Sequence, residues 1–460
     1  MKFHFESWHD TIVAQITPNG IGAIGTIRIS GSSAILIINA IFPSKNLVVV
    51  PTHTLHVGYI KYNEEIVDQV VVSIFKGPNS YTGEDVIEIS CHGSPYILER
   101  LISILIECGC RLAKPGEFTQ RAFLNSKLDL AEAESVADLI ESKTKASANA
   151  ALNTLRGGFK TVLFSLREQL LTFSSLLELE LDFAEEDVEF ANRGQLIFLI
   201  STTILQVTRL CDSFKYGNVI KNGIQTAIIG SPNAGKSTLL NTLLNDNRAI
   251  VSHIPGTTRD TIEEVLNIDG ILFRLIDTAG LRLHSHDVIE NLGIERSLEK
   301  MLSADLVIYL FDVHDFSVKN LQLVVEDFKS KSINYLLVGN KIDLINNNHE
   351  IAFNDFENII FISAKGNVNI DSLKNELIKL SIGGHLNTES TIITNIRHYE
   401  ALSKLSIVLN EVLLGLNNQL SGDLIALHIR ECLHYLGLIT GTVTTEDQLD
   451  FIFSKFCIGK

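Results

Sequence analysis

Gly230-Ser231-Pro232-Asn233-Ala234-Gly235-Lys236-Ser237 is the stretch on which the fold turns. An apolar β-type run at 226–229 leads into it, and a helical pattern opens from it at Thr238. A strand that enters a glycine-containing loop and then a helix turns backbone amides and the positive helix end toward one point, as a phosphate-binding loop requires. Lys236 can reach the β- and γ-phosphates and Ser237 can ligate magnesium, with Asn233, Ala234, Gly235 and Thr238 as further contacts. The surrounding runs at 226–229, 272–276, 306–311, 335–338 and 359–362 alternate with polar or helix-like segments, which predicts a parallel sheet with crossover helices.

The remaining signals follow in order along this sheet. Asp277-Thr278-Ala279-Gly280 closes the run at 272–276, where the carboxylate can hold magnesium through water and the glycine amide can meet a γ-phosphate. Asn340-Lys341-Ile342-Asp343 closes the next run but one, and the Asp343 carboxylate can accept two hydrogen bonds from guanine N1 and the exocyclic amine. Adenine lacks that donor pair, and a buried carboxylate left unpaired is costly, so the motif selects GTP. Ser363-Ala364-Lys365 suits a backbone contact to the guanine oxygen. Between the phosphate loop and Asp277 lie Ser252, His253, Ile254, Pro255 and Gly256-Thr257-Thr258-Arg259-Asp260, the place of a switch loop, with Thr258 as magnesium ligand. Leu281 stands where Ras-like enzymes carry the glutamine that orients the attacking water, so another polar group must do this and another positive charge must serve the transition state.

On either side of this segment the pattern changes. Residues 1–125 hold short β-type runs at 23–29, 67–75 and 86–90 with one helix-like stretch at 96–108, an α+β domain. Residues 126–222 carry Leu152, Leu155, Phe159, Val162, Leu163, Leu166, Leu170 and Phe173 at three- and four-residue spacing, a helical face that resumes at 383–460 with Leu402, Leu405, Leu409 and Leu416. The architecture expected is multidomain: an α+β domain, an all-α domain in two pieces, and a Ras-like α/β domain at 223–382 inserted between them.

Composition bounds the function. The chain has 460 residues, 45% hydrophobic and 20% charged, and a net charge of −16, which argues against a broad basic surface for nucleic acid and leaves room only for local RNA contacts. Six cysteines include no C-x-x-C pair, which fits free thiols in a reducing compartment. The first ten residues lack a signal-peptide pattern. The apolar stretch at 196–207 is interrupted by Ser201, Thr202 and Thr203 and falls short of the ~20 residues that span a bilayer, so a cytoplasmic location without membrane contact is expected.

Together with Thr11-Ile-Val-Ala-Gln15, Gly77-Pro-Asn-Ser80, Thr82-Gly-Glu-Asp85, Lys114-Pro-Gly-Glu-Phe118, Arg121-Ala-Phe-Leu-Asn125, Lys127-Leu-Asp-Leu-Ala131 and Phe456-Cys-Ile-Gly-Lys460, these motifs resemble the MnmE (TrmE) tRNA-modification GTPases over nearly the whole chain. The resemblance implies a folate-binding, dimerising N-terminal domain and a homodimer. It also implies a heterotetramer with the flavoprotein MnmG, acting on tRNA to place an aminomethyl-type group on C5 of the wobble uridine. The carbon would come from 5-formyl- or 5,10-methylene-tetrahydrofolate, with contacts falling on Arg28, Glu88, Lys127 and Lys460. It further implies that K+ replaces the missing arginine finger, held by Asn233, Ser252, Ile254 and Thr257. For the water, counting back from Gly293 to Arg296 lands on Glu290, with Asp287 as the alternative. Two other readings share much of this pattern: a ribosome-associated GTPase switch, and a free-standing folate enzyme with GTP as effector.

Overall fold

The computed structural model describes residues 10–182, 193–247, 264–276, 304–344, 353, 355–382, 391–443 and 445–459. The chain splits into two compact units, Met1–Ile140 with Ala151–Thr208 and Glu400–Lys460, and Glu141–Ala150 with Arg209–Tyr399. It leaves the first unit and later returns to it, as the discontinuous helical pattern predicts.

The first unit begins with β1 (Ile12–Gln15), β2 (Ile24–Ser30), α1 (Ala34–Ile41), β3 (Thr54–Tyr62), β4 (Glu65–Phe75), β5 (Val86–His92), α2 (Pro95–Glu107) and β6 (Arg111–Leu112). The strands form one sheet in the order β3-β4-β5-β2-β1-β6, antiparallel except for β1 with β6. Alternation sorts its faces: Ile27, Ile29, Ile87 and Ile89 are buried against Ile38, Phe42, Leu98 and Leu101, while Arg28 and Glu88 lie on the opposite, more open face. Each large aliphatic side chain so buried contributes about 1.5–3 kcal/mol.

Helices follow: α3 (Glu117–Leu124), α4 (Leu130–Glu141), α5 (Lys145–Leu155), α6 (Gly158–Asp182) and α7 (Arg193–Asn222). In α6 the spaced residues Phe159, Leu163, Leu166, Leu170 and Phe173 are buried, as is Leu177 one turn on, so the helical period marks the packed face. Ser201, Thr202 and Thr203 do not interrupt α7, contrary to the sequence expectation. The Thr202 and Thr203 hydroxyls donate to the carbonyls of Phe198 and Leu199, both at 2.9 Å, and the helix continues. Gly194–Asn222 is therefore long and apolar enough to cross a membrane by length and composition alone, with a mean hydropathy of 1.3. Its Leu196, Ile200, Thr203 and Val207 are nonetheless buried within the protein.

The second unit contains β7 (Ile224–Gly230), α8 (Lys236–Asn247), β8 (Glu264–Ile268), β9 (Ile271–Leu275), β10 (Leu306–Asp312), α9 (Val318–Ser330), β11 (Tyr335–Asn340), β12 (Ile359–Phe361) and α10 (Ile370–Ile382). Its sheet has the order β12-β11-β10-β7-β9-β8 and is parallel apart from β8, which pairs antiparallel with β9. That departure from an all-parallel sheet comes from Asp269-Gly270, which take φ of 49° and 87° and close a two-residue hairpin. Leu239 and Leu243 of α8 and Leu373 and Leu377 of α10 cover one face; Leu321, Val325 and Phe328 of α9 cover the other. The sheet grows in both directions from β7, and ligands of such sheets bind outside the C-terminal strand ends at that reversal.

The chain closes with α11 (Ile396–Asn417), α12 (Gly422–Thr440) and α13 (Glu446–Phe453). Helix α12 packs on α6, and its Ile425, Ile429, Cys432 and Leu436 are buried. Thr445 and Gln448 form a reciprocal capping box that starts α13. The segment after α13 lies against the N-terminal sheet region. Gly116 N donates to Cys457 O at 3.3 Å, Gln120 Nε2 to Asp450 Oδ1 at 3.1 Å, and Phe123, Leu130, Leu449, Phe453 and Phe456 share one cluster. Gly459, at φ +97°, lies so close to β1 that a Cβ there would sit 2.5 Å from Gln15 O.

Candidate functional site

Strand β7 ends at Gly230, where φ is +151° and a Cβ would fall 1.8 Å from Leu310 O of the neighbouring strand. No side chain fits there. Gly235, at φ +94°, leaves room for Asn340, whose Nδ2 would be 2.5 Å from a Cβ. Between them Asn233 takes the left-handed φ of 61° that asparagine tolerates. The chain thus turns sharply and enters α8 with Lys236, Ser237 and Thr238 in its first turn, where amides point outward and the helix end is positive. Lys236 Nζ donates to Gly230 O at 2.9 Å and Ser231 O at 3.0 Å, and burial lowers the pKa of this ammonium. A cation is held inside a loop of backbone amides, a cradle suited to phosphate.

The residues expected to read the base are tied to this loop directly. Asn340, last in β11 and buried, donates from Nδ2 to Ala234 O at 2.7 Å and accepts at Oδ1 from Ala364 N at 3.0 Å. One side chain therefore links the phosphate loop to the 363–365 loop. Ser363 Oγ donates to Asp343 Oδ1 at 2.6 Å and accepts from Gly366 N at 2.9 Å, fixing the carboxylate that would read guanine. Thr242 of α8 donates to Ala364 O at 2.9 Å. Lys365 is exposed. Lys341, at φ 71°, reaches back to Asp312 at the end of β10, 2.6 Å from Nζ to Oδ2.

Of the expected nucleotide residues, Asn233, Ala234, Gly235, Lys236, Ser237, Thr238, Asn340, Lys341, Asp343, Ser363, Ala364 and Lys365 thus come to one edge of one sheet. Ser252, His253, Ile254, Pro255, Gly256, Thr257, Thr258, Asp277, Thr278, Ala279, Gly280, Leu281, Asp287 and Glu290 lie outside the described residues. Ile276, the last described residue before Asp277 in sequence, donates its amide to Thr226 O of β7 at 3.0 Å. Of the residues expected to hold magnesium and potassium, Ser237 and Asn233 are the ones among the described residues.

In the first unit Arg28 and Glu88 are register partners on β2 and β5, joined by Arg28 Nη2 to Glu88 Oε1 at 2.8 Å and Nε to the same oxygen at 2.9 Å. The Arg28 guanidinium stands over the rings of Tyr81 and Phe118, at 5.0 and 5.6 Å. Burial pushes the Tyr81 hydroxyl pKa up, against the hydrogen bond with Thr119 and the charge of Arg28. Lys127 Nζ donates to Pro78 O at 2.9 Å, and the loop that holds Pro78, Tyr81 and Gly83 touches both Arg28 and Lys127. Arg28, Glu88 and Lys127 are thus assembled around one loop; Lys460 lies outside the described residues, and Gly459 before it abuts Gln15.

Sequence reasoning missed two features. Arg121, only 1% exposed, donates to Asp10, Glu84 and Glu117, while Arg111 bridges Asp10 and Glu117. These partners lie up to 111 residues apart, and no local spacing announces them. Asp312 is the other, visible in the sequence only as the acidic end of an apolar strand.

A family model described as the MnmE helical domain matches residues 130–457, and one described as the GTP-binding protein TrmE N-terminus matches residues 11–127. The chain is 55% identical to the tRNA modification GTPase MnmE of Cytophaga hutchinsonii over 451 residues, 98% of either chain. It is 52% identical to that of Flavobacterium johnsoniae over 463 residues, 98% of this chain and 99% of the relative. Among solved structures, the G domain of the T. maritima FeoB iron transporter aligns at 24% identity and a TM-score of 0.25, over 34% of this chain and 98% of that one. The chain is a GTP hydrolase and belongs to the family of tRNA modification GTPases MnmE.

Proposed function

We propose that this protein binds GTP across the C-terminal edge of its second sheet and couples hydrolysis to modification of the wobble uridine of certain tRNAs at C5. The reading rests above all on Asn340, whose side chain joins the phosphate loop to the loop that carries Ser363. With that tie in place, the base-reading and phosphate-binding loops are preorganised against each other. Lys236 neutralises the β- and γ-phosphates, and Asp343 accepts from guanine. Ser237 and Thr258 hold magnesium, which when bound draws charge from the phosphate oxygens. Asn233, Ser252, Ile254 and Thr257 hold potassium in place of an arginine finger, and Glu290 positions the water that Leu281 cannot. Hydrolysis in potassium then exceeds that in sodium at matched ionic strength; equal rates remove the potassium site.

The first unit supplies the one-carbon half of the reaction. A tetrahydrofolate, 5-formyl or 5,10-methylene, lies against Arg28, Glu88, Lys127 and Lys460, where the bases meet its glutamate or carbonyl groups and Glu88 accepts from pterin N–H groups. The exposed apolar residues Leu55, Val57 and Tyr59 on the open side of β3 support a homodimer through this domain. An MnmG-type flavoprotein completes a heterotetramer in the cytoplasm. The domain limits that suit this division are 1–125, 126–222 with 383–460, and 223–382. Nucleoside analysis of wobble uridines in tRNA from cells lacking the protein tests the reading: loss of the C5 aminomethyl-type group is expected, and unchanged modification overturns it while leaving the GTPase.

A further inference from the structure

Asp312 stands outside every motif that points to nucleotide, yet it is built into the edge that would hold guanine. It is the last residue of β10, in register with Asn340 on β11, and only 7% exposed. Its Oδ1 accepts from His314 N at 3.0 Å and its Oδ2 from Lys341 Nζ at 2.6 Å. The backbone repeats the tie, since Val313 N donates to Asn340 O at 3.2 Å. A carboxylate this buried is costly to ionise unless it is paired, and the ammonium of Lys341 supplies the pair.

The partner is the informative half. Lys341 sits between Asn340, which grips Ala234 and Ala364, and Ile342, with which the 3₁₀ turn carrying Asp343 begins. Its φ of 71° is a left-handed conformation that residues other than glycine rarely adopt. That strained residue sends its aliphatic stem from β11 across to β10, the strand that lies between β11 and the strand bearing the phosphate loop. The stem therefore crosses the strip of sheet edge over which a nucleotide must lie if its phosphates meet Lys236 and its base meets Asp343.

We propose that Asp312 is a positioning residue for the guanine nucleotide. It anchors the Lys341 ammonium so that the lysine stem forms a fixed apolar wall under the base and ribose, and so that the left-handed turn into Asp343 is held before nucleotide arrives. Asp312 itself touches no substrate. Free of this anchor, the ammonium turns to solvent, the stem loses its place, and the turn is ordered only when nucleotide binds, which costs affinity without touching hydrolysis. The inference rests on the reading that Asn340 and Asp343 hold guanine.

The test uses the purified full chain with Asp312→Asn, Lys341→Met and the double variant. Asparagine keeps the acceptor for His314 N and nearly the same volume. Release of a fluorescent N-methylanthraniloyl-GDP should quicken about tenfold in each single variant, the size expected for one lost charge-assisted hydrogen bond that is partly exposed. KM for GTP should rise in proportion while kcat stays within about twofold, and the double variant should be no worse than either single one, because both remove the same contact. The melting midpoint without nucleotide should be unchanged in Asp312→Asn and in the double variant and should fall in Lys341→Met, which leaves the buried carboxylate unpaired, while the rise on adding GDP should shrink in all three. Effects that multiply in the double variant, release within about twofold of wild type, or a lowered nucleotide-free midpoint of Asp312→Asn with the GDP-induced rise intact would each overturn the proposal. Asp343→Asn is run beside them: if it leaves GTP affinity unchanged, the guanine-site reading fails, whatever Asp312 does.

Discussion

In the second unit the residues proposed for nucleotide stand on loops that leave the C-terminal ends of parallel strands, whereas in the first the proposed folate contacts Arg28 and Glu88 stand mid-strand on one face of an antiparallel sheet. A loop beyond the ladder has backbone amides to spare, so the phosphate cradle is made of main chain and a few side chains that brace it. A mid-strand position has its amide committed to the neighbour, so only side chains remain to recognise a ligand. Substitution should therefore act differently in the two places: through the shape of a turn in one, through the balance of charges in the other.

The largest effect is expected where charge is most buried. Arg121→Ala leaves Asp10, Glu84 and Glu117 without their common partner and should cost the first unit about 3–5 kcal/mol, measured by denaturant unfolding, while GTP affinity of the second unit stays near wild type. A loss under about 1 kcal/mol would mean that solvent screens this cluster as it does a surface pair. The same cluster sets an acid limit. Burial raises the Glu117 pKa, but the Arg111 hydrogen bond, the Lys114 amide and the nearby guanidinium charges outweigh it and hold the carboxyl below its ordinary 4.5; Asp10 is likewise held below 3.8 by Arg111 and Arg121 against burial. Carboxyls lowered in this way contribute stability that is present above their unfolded values and lost as pH falls through the folded ones. Unfolding of the first unit should thus steepen below roughly pH 4 in wild type and less so in Arg121→Ala, as circular dichroism titration can follow.

Next in size is Asp343→Asn, which should weaken GTP about 10²-fold and favour xanthosine nucleotide, whose ring carbonyl can accept from the new amide. A direct titration with unchanged GTP affinity would place guanine recognition elsewhere. Smallest is Arg28→Gln, expected to weaken 5-formyl-tetrahydrofolate about tenfold by calorimetry with no change in GTP hydrolysis. If it abolished hydrolysis instead, the contrast between a self-sufficient nucleotide site and a separate sheet-face site would fall.

The same contrast explains what could be read in advance. The phosphate loop, Asn340 to Asp343 and Ser363 to Lys365 are contiguous because each is one turn at one strand end, so their chemistry lies in adjacent letters. The spacing in α6 likewise identified its buried face. Arg121 could be singled out only as part of a resemblance, since its role depends on Asp10 and Glu84, residues brought to it by strand pairing and a long loop. The β3 strand went unread because its outward residues Leu55, Val57 and Tyr59 are apolar, which masks the alternation that usually reveals a half-buried strand. Helix α7 ran on through Ser201 to Thr203 because hydroxyls there satisfy themselves on carbonyls one turn back.

The seating of α13 and the residues after it against Gly116, Gln120 and β1 has a consequence for biogenesis. Gln120 meets Asp450 across 330 residues of chain, all of which the ribosome must make after it has made the N-terminal sheet. At about 5–20 residues per second, that sheet waits roughly 15–65 s with this contact surface uncovered. The N-terminal sheet thus waits for chain made much later, and Phe123 and Leu130 stay exposed to chaperones until Phe453 and Phe456 have emerged to cover them.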